Sequence, residues 1–141
     1  MIVLALDFGT RRIGMAVSDP LGIVATGLPT LERKELDQDL KYIQKVVEER
    51  KVQKILLGFP IHMSGRVGIE AQAVLEFKEL LIEKSGLSIE LIDERWTTVE
   101  AERTLLEGNL SRKKRKNKID QVAAQIILQT YLERMRLKDE I

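Results

Sequence analysis

The sequence predicts an α/β domain in which a five-stranded mixed sheet carries helices on its faces, and three observations lead there. A continuous apolar run, Ile2 to Leu6, opens the chain; two further β-like runs follow with no helix between them; two β-α units and a C-terminal helix pair come after. Strands joined by tight turns pair antiparallel, whereas strands separated by helices return parallel through right-handed crossovers. At 141 residues this arrangement uses the whole chain, 1–141, as one domain.

The elements follow in order. Ile2 to Leu6 ends in Asp7-Phe8-Gly9-Thr10, and an unbroken apolar run of this kind suits a strand covered on both faces. Arg12 to Val17 and Ile23 to Leu31 form the rest of the meander, separated by the turn residues Asp19-Pro20-Leu21-Gly22. From Leu36 to Arg50 the residues Leu36, Leu40, Ile43, Val46 and Val47 recur at helical spacing, and Val52 to Leu57 returns to a strand closed by Gly58-Phe59-Pro60. A second helix spans Ile69 to Lys84, with Ala73, Phe77, Leu80 and Leu81 on one face and Gly86 as its left-handed cap. Strand Ile89 to Ile92 follows. Thr97 and Glu100 have the capping-box spacing that starts a helix, which Gly108 stops. The last helix runs from Ile119 to Met135, with Ile119, Val122, Ala123, Ile126 and Tyr131 at core spacing.

Composition excludes several classes. Hydrophobic residues make up 44% and charged residues 32% of the chain, which places it with globular proteins and not with disordered ones. Its apolar stretches are far shorter than the roughly 20 residues needed to cross a bilayer, and the N-terminus reads as a buried strand with no secretory leader. There is no cysteine, so neither disulfides nor thiolate metal sites are available; a cytoplasmic location is the expectation. The net charge is only +1, yet six of the seven residues from 112 to 118 are basic: Arg112, Lys113, Lys114, Arg115, Lys116 and Lys118. The charge is therefore lopsided, as a polyanion-binding protein requires.

In a parallel sheet the C-terminal strand ends share one edge, so Asp7 and the pair Asp93-Glu94 are expected to face one crevice. Asp120, in the first turn of the predicted last helix, flanks its apolar face and can reach the same edge. Converging carboxylates repel unless a divalent cation compensates them, and magnesium suits hard oxygen ligands that leave positions for water and phosphate. The neighbouring basic run then grips the phosphates of a nucleic acid. Trp96, Phe8 and Phe59 are the only aromatics near that edge, so backbone and shape recognition is favoured over base readout.

These residues carry a resemblance to a known family. Leu6-Asp7-Phe8-Gly9 with Arg12-Ile13-Gly14 through Ser18-Asp19, Gly58-Phe59-Pro60 with Met63-Ser64-Gly65, Asp93-Glu94-Arg95 with Thr97-Thr98, and Ile119-Asp120 with Ala123-Ala124 together resemble the YqgF group of pre-16S ribosomal RNA nucleases, also called Holliday-junction-resolvase-like proteins. The resemblance covers the whole chain. It implies a ribonuclease H-like sheet of order 3-2-1-4-5 with about four helices, Mg2+ or Mn2+ dependence, and processing of the 5′ end of pre-16S rRNA, with resolution of branched DNA junctions as the alternative. It also implies that Asp7, Glu94 and Asp120 are the metal-binding catalytic carboxylates, acting by two-metal hydrolysis. A fourth carboxylate, Asp93 or Asp19, stays open, as does the choice of Glu94 over Asp93 on strand pattern alone. Arg12 and Arg95 are expected to meet phosphate, Thr98 to orient a neighbour, and the protein to be a monomer or weak homodimer.

Plainer readings exist for each residue taken singly. Asp7 alone is a common strand-closing turn residue, Asp120 in a first turn merely complements a helix dipole, the basic run is a solvated loop, and His62 is a lone surface histidine with no assigned role. Two rival functions also stand. Asp7-Phe8-Gly9-Thr10 resembles the first phosphate loop of actin-type and sugar-kinase phosphotransferases, but those enzymes close two such domains over ATP and this chain holds one. A non-catalytic RNA-binding adaptor would keep the fold and the basic run while losing metal-dependent cleavage.

Overall fold

The computed structural model describes residues 1–59, 68–93 and 112–139, with side chains of the last segment from Asp120 to Lys138. The elements are β1 (Val3–Phe8), β2 (Arg12–Ser18), β3 (Ala25–Glu32), α1 (Leu36–Arg50), β4 (Lys54–Phe59), α2 (Ile69–Ser85), β5 (Ser88–Asp93) and α3 (Arg112–Asp139). The strands form one sheet in the order β3-β2-β1-β4-β5. β1, β2 and β3 pair antiparallel, and β4 and β5 run parallel to β1, as the meander and the crossovers require.

The sheet separates two cores, and β1 shows why. Its alternation sends Leu4 and Leu6 into a cluster with Ile43 and Val47 of α1 and Phe77 and Leu81 of α2. Val3 and Ala5 go to the other face, against Ala124, Ile127, Leu128 and Tyr131 of α3. A strand buried on both faces reads as an unbroken apolar run, which is what the N-terminal sequence displays.

Several boundaries differ from the sequence reading. β4 continues through Gly58 and Phe59, because its parallel pairing with β5 runs on to Phe59 opposite Asp93. In α1, Leu36 is exposed while Asp39 is buried. In α2 the buried face is Ala71, Val74, Phe77 and Leu81, so Ala73 turns to solvent; Gly86 caps the helix at φ 70° as predicted. The largest change is in α3, which begins at Arg112: the basic run is helix and not a loop, since lysine and arginine are good helix formers. The buried stripe of α3 is Ala123, Ala124, Ile127, Leu128, Tyr131 and Leu132, so Val122 and Ile126 are only partly buried. The predicted helix from Thr97 to Gly108, the loop around His62, and Trp96 lie outside the described residues. Among those described, no helix is long and apolar enough to cross a membrane.

Candidate metal-binding edge

Asp7 is the fifth residue of β1 and falls in the alternation with Val3 and Ala5, on the face that α3 covers. α3 is drawn close to this point by an unusual surface. Asp7 pairs with Gly14 of β2, and a Cβ built on Gly14 would lie 2.0 Å from the carbonyl oxygen of Asp120 and 2.5 Å from its carbonyl carbon. Only glycine lets the helix backbone rest directly on the strand there. The β2–β3 register also shifts at this position, and Pro29 of edge strand β3 is tolerated within the bulge.

A stripe of glutamines fixes how far along the strand α3 sits. Gln121 Nε2 donates to the Leu28 carbonyl at 2.9 Å, Gln125 Nε2 to that of Ala25 at 3.4 Å, and Gln129 Nε2 to that of Ile23 at 3.3 Å. Spaced four residues apart, they share one face of the helix and occupy main-chain acceptors along the β3 margin. Asp120 is adjacent to the first of them.

The outcome is that Asp7 and Asp120, 113 residues apart in the numbering, interact across the β1–α3 contact. Burial, followed by the negative charge of Asp7, raises the Asp120 carboxyl from 3.8 to about 6, with the Arg12 guanidinium opposing the rise. Arg12 Nε lies 3.8 Å from Asp120 Oδ2, and both side chains are mostly covered. Arg12, expected to face phosphate, thus sits against the carboxylate. Asp120 is also about two turns inside its helix, counted from Arg112 at 3.6 residues per turn. The sequence reading placed it in the first turn; the longer helix removes dipole complementation as an explanation of the residue.

The two alternative acids fare differently from Asp7. Asp19 follows β2, which runs antiparallel to β1, and therefore lies at the opposite end of the sheet. Its Oδ1 accepts from the backbone N–H groups of Ile23 and Val24 at 2.7 and 2.8 Å, which close the β2–β3 turn and hold its carboxyl below the usual carboxylate range. In β5, Ile89 and Leu91 pack on the α1–α2 side and Ile92 on the α3 side. Asp93 continues the former series, away from Asp7. Glu94, Arg95 and Thr98 lie outside the described residues, as do the side chains of Arg112, Lys113, Lys114, Arg115, Lys116 and Lys118. Among the described residues no three acidic or imidazole side chains gather as a metal cluster.

The donor pair nonetheless fits a hard dication. Both groups offer carboxylate oxygens, and each makes the other's charge costly in a partly dehydrated place, a cost that a divalent cation offsets. A stability prediction follows. Asp120 ionises near 3.8 in the unfolded chain and near 6 in the fold, so it carries no penalty below about pH 4. Stability is then lost as pH rises through that window, and the loss is complete above about pH 6, at no more than about 3 kcal/mol. Asp120→Asn is therefore expected to raise the metal-free melting temperature at pH 8 and leave it unchanged at pH 3.5. Magnesium should raise the wild-type melting temperature at pH 8 but not that of the variant.

Sequence reading missed Gly14 as a contact point, the glutamine stripe, Arg33 and the buried Asp39. The 121, 125, 129 spacing of the glutamines is visible in the sequence, and Asp39 shares the 39, 43, 47 stripe with Ile43 and Val47.

Comparison with known proteins adds to this geometry. A family model described as RuvX, Holliday junction resolvase, matches residues 1–134. A protein of Clostridium novyi (strain NT) named "Putative pre-16S rRNA nuclease" is 48% identical over 133 residues, spanning 94% of this chain and 98% of its own. A protein of the same name from Koribacter versatilis (strain Ellin345) is 45% identical over 138 residues, 98% of this chain and 90% of that one. Among solved structures, RuvC of T. thermophilus in complex with a Holliday junction substrate matches with a TM-score of 0.59 at 13% identity, over 96% of each chain. The Fowlpox virus resolvase bound to Holliday junction DNA matches with a TM-score of 0.57 at 10% identity, over 96% of this chain and 99% of that one. These structural likenesses establish the resolvase-type, ribonuclease H-like fold.

Proposed function

The chain belongs to the RuvX family, and from that premise we propose that it is a metal-dependent nuclease that processes the 5′ end of pre-16S rRNA, with Asp7, Glu94 and Asp120 as the metal-binding carboxylates. The observation that carries this reading is the Asp7–Asp120 pair, two acids from remote segments held together in a partly dehydrated site where burial and mutual repulsion raise Asp120 to about 6. Sequence relatives named for pre-16S rRNA at 45–48% identity favour RNA over the branched DNA of the more distant resolvases.

Bound Mg2+ or Mn2+, as a pair of ions, would lower the pKa of an attacking water and stabilise the departing oxygen of an in-line displacement. The chain's own contribution is placement. Asp7 and Asp120 present oxygens from a rigid strand and from the interior of a helix, and Arg12 tempers their charge without neutralising both. Glu94, which follows β5 in the sequence, is the third carboxylate on this reading.

The basic run has a definite part in substrate binding. In the sequence Lys116 and Lys113 precede Asp120 by four and seven residues, a helical spacing, and on this reading they grip phosphates beside the reacting one. Replacing both by glutamine is expected to flatten the slope of log affinity against log salt by about 0.7–0.9 per lost contact. The same exchange at Lys114 and Lys118 should change it less. Fluorescence anisotropy with labelled RNA across a salt series checks this, and equal slopes for the two pairs would contradict it.

The deciding assay incubates the protein with labelled pre-16S rRNA and with a four-way DNA junction, with and without magnesium. Magnesium-dependent cutting of the rRNA precursor is expected. Salt-sensitive RNA binding without cutting would instead favour an adaptor.

A further inference from the structure

We propose that Arg33 is a positioning residue for the metal-binding carboxylate Asp7, acting as a clamp on the turn that follows it; the inference rests on the metal-dependent reading above. That turn is tight, with the Gly9 N–H donating to the Arg12 carbonyl at 2.8 Å. It therefore ties together the two residues that flank the site on the sheet, Asp7 before it and Arg12 after it.

Arg33 reaches this turn from the connection between β3 and α1 and uses both its edge and its face. Nη1 donates to the carbonyl oxygens of Gly9 at 3.0 Å and Thr10 at 3.4 Å. The guanidinium plane lies over the Phe8 ring, 4.4 Å from the centroid, and Phe8 packs on Phe77 of α2 with the ring centroids 4.5 Å apart. Nε pairs with Asp39 Oδ2 at 3.4 Å, and Asp39, in the first turn of α1, is 1% exposed. The other oxygen of Asp39 accepts from the backbone N–H of Lys34 at 3.0 Å, and the backbone N–H of Arg33 donates to the Arg11 carbonyl at 2.9 Å.

One planar group thus joins two carbonyls, an aromatic ring and a buried carboxylate. Covering such an ion pair is a weak source of stability by itself, but its contacts fix the turn in three directions. Lysine keeps the charge and loses both the fork and the plane. Groups that orient metal ligands from behind typically cost about 10–100-fold in metal affinity or activity when removed.

The test titrates Mn2+ into wild type, Arg33→Lys and Asp39→Asn by isothermal calorimetry at 10 °C, with circular dichroism on each sample and cleavage measured over a magnesium series. Arg33→Lys is expected to bind Mn2+ about 10-fold more weakly and to need correspondingly more magnesium for half-maximal cleavage. KM for nucleic acid at saturating metal should stay unchanged. Asp39→Asn, which loosens Arg33 but leaves its bonds to the Gly9 and Thr10 carbonyls possible, should move the same way by a smaller factor. Wild-type Mn2+ affinity in both variants overturns the clamp, as does a rise in KM alone, which would make Arg33 a phosphate contact. Failure of the wild type to bind or use metal would instead overturn the parent reading.

Discussion

Replacing Asp7 with asparagine is expected to lower kcat for pre-16S rRNA cleavage by about 10³-fold or more while leaving the affinity for RNA within a factor of about three. Asparagine has nearly the same shape, so the sheet and its turn are kept; what disappears is one charge at the site proposed to recruit a dication. The variant carries an internal control. Asp7 is one of the two causes that raise Asp120, so in Asp7→Asn the Asp120 carboxyl should ionise at lower pH and the metal-free protein should melt at or above the wild-type temperature near pH 8. That outcome would mark Asp7 as a catalytic residue that contributes nothing to stability. If activity and melting temperature fell together, Asp7 would be structural.

The second large effect is expected at Gly14. A methyl group there would meet the main chain of Asp120 at 2.0 Å from its oxygen and 3.1 Å from its Cα. Because the obstacle is backbone, no side-chain rotation relieves it, and α3 must lift from β2 at the point where Asp120 faces Asp7. Gly14→Ala is expected to cost about 1–3 kcal/mol or more, a drop of several degrees in melting temperature. It should also abolish the stabilisation of the protein by magnesium. Gly27→Ala is the matched control on the neighbouring contact: its Cβ would meet the side chain of Gln121, which can turn away at the loss of its hydrogen bond to Leu28, about 1 kcal/mol. Gly27→Ala should retain the magnesium response. Equal effects at the two glycines would show that general packing against α3, and not the seat under Asp120, decides the outcome.

Most of the sheet was legible in the sequence because its evidence is local. An unbroken apolar strand, Pro-Gly turns and helical spacing in 36–50 and 69–85 all act over a few residues, and the order of strands follows from their connections. The boundaries that moved did so for tertiary reasons. The Gly58-Phe59-Pro60 run predicts the end of β4 before Gly58, but pairing with β5 carries it to Phe59. The start of α3 was hidden because a basic run looks like a loop while its residues favour helix. At the site, Asp7 and Asp120 were identifiable as acids next to apolar strand and helix, yet what joins them was not. The contact at Gly14 depends on two backbones 106 residues apart meeting in space, and no window on the chain contains both. Arg33 is hidden in the same way, since it resembles an ordinary surface charge until the turn after Phe8, some 24 residues earlier, is brought against it.

On the proposed function, Asp7 and Asp120 share a divalent cation at the end of β1. Anomalous diffraction from crystals soaked in Mn2+ tests it most directly. A peak is predicted within coordination distance, about 2.0–2.3 Å, of oxygens from both side chains. The contradictory result is saturating Mn2+ that supports cleavage while its anomalous peaks lie elsewhere, with no density between these two carboxylates.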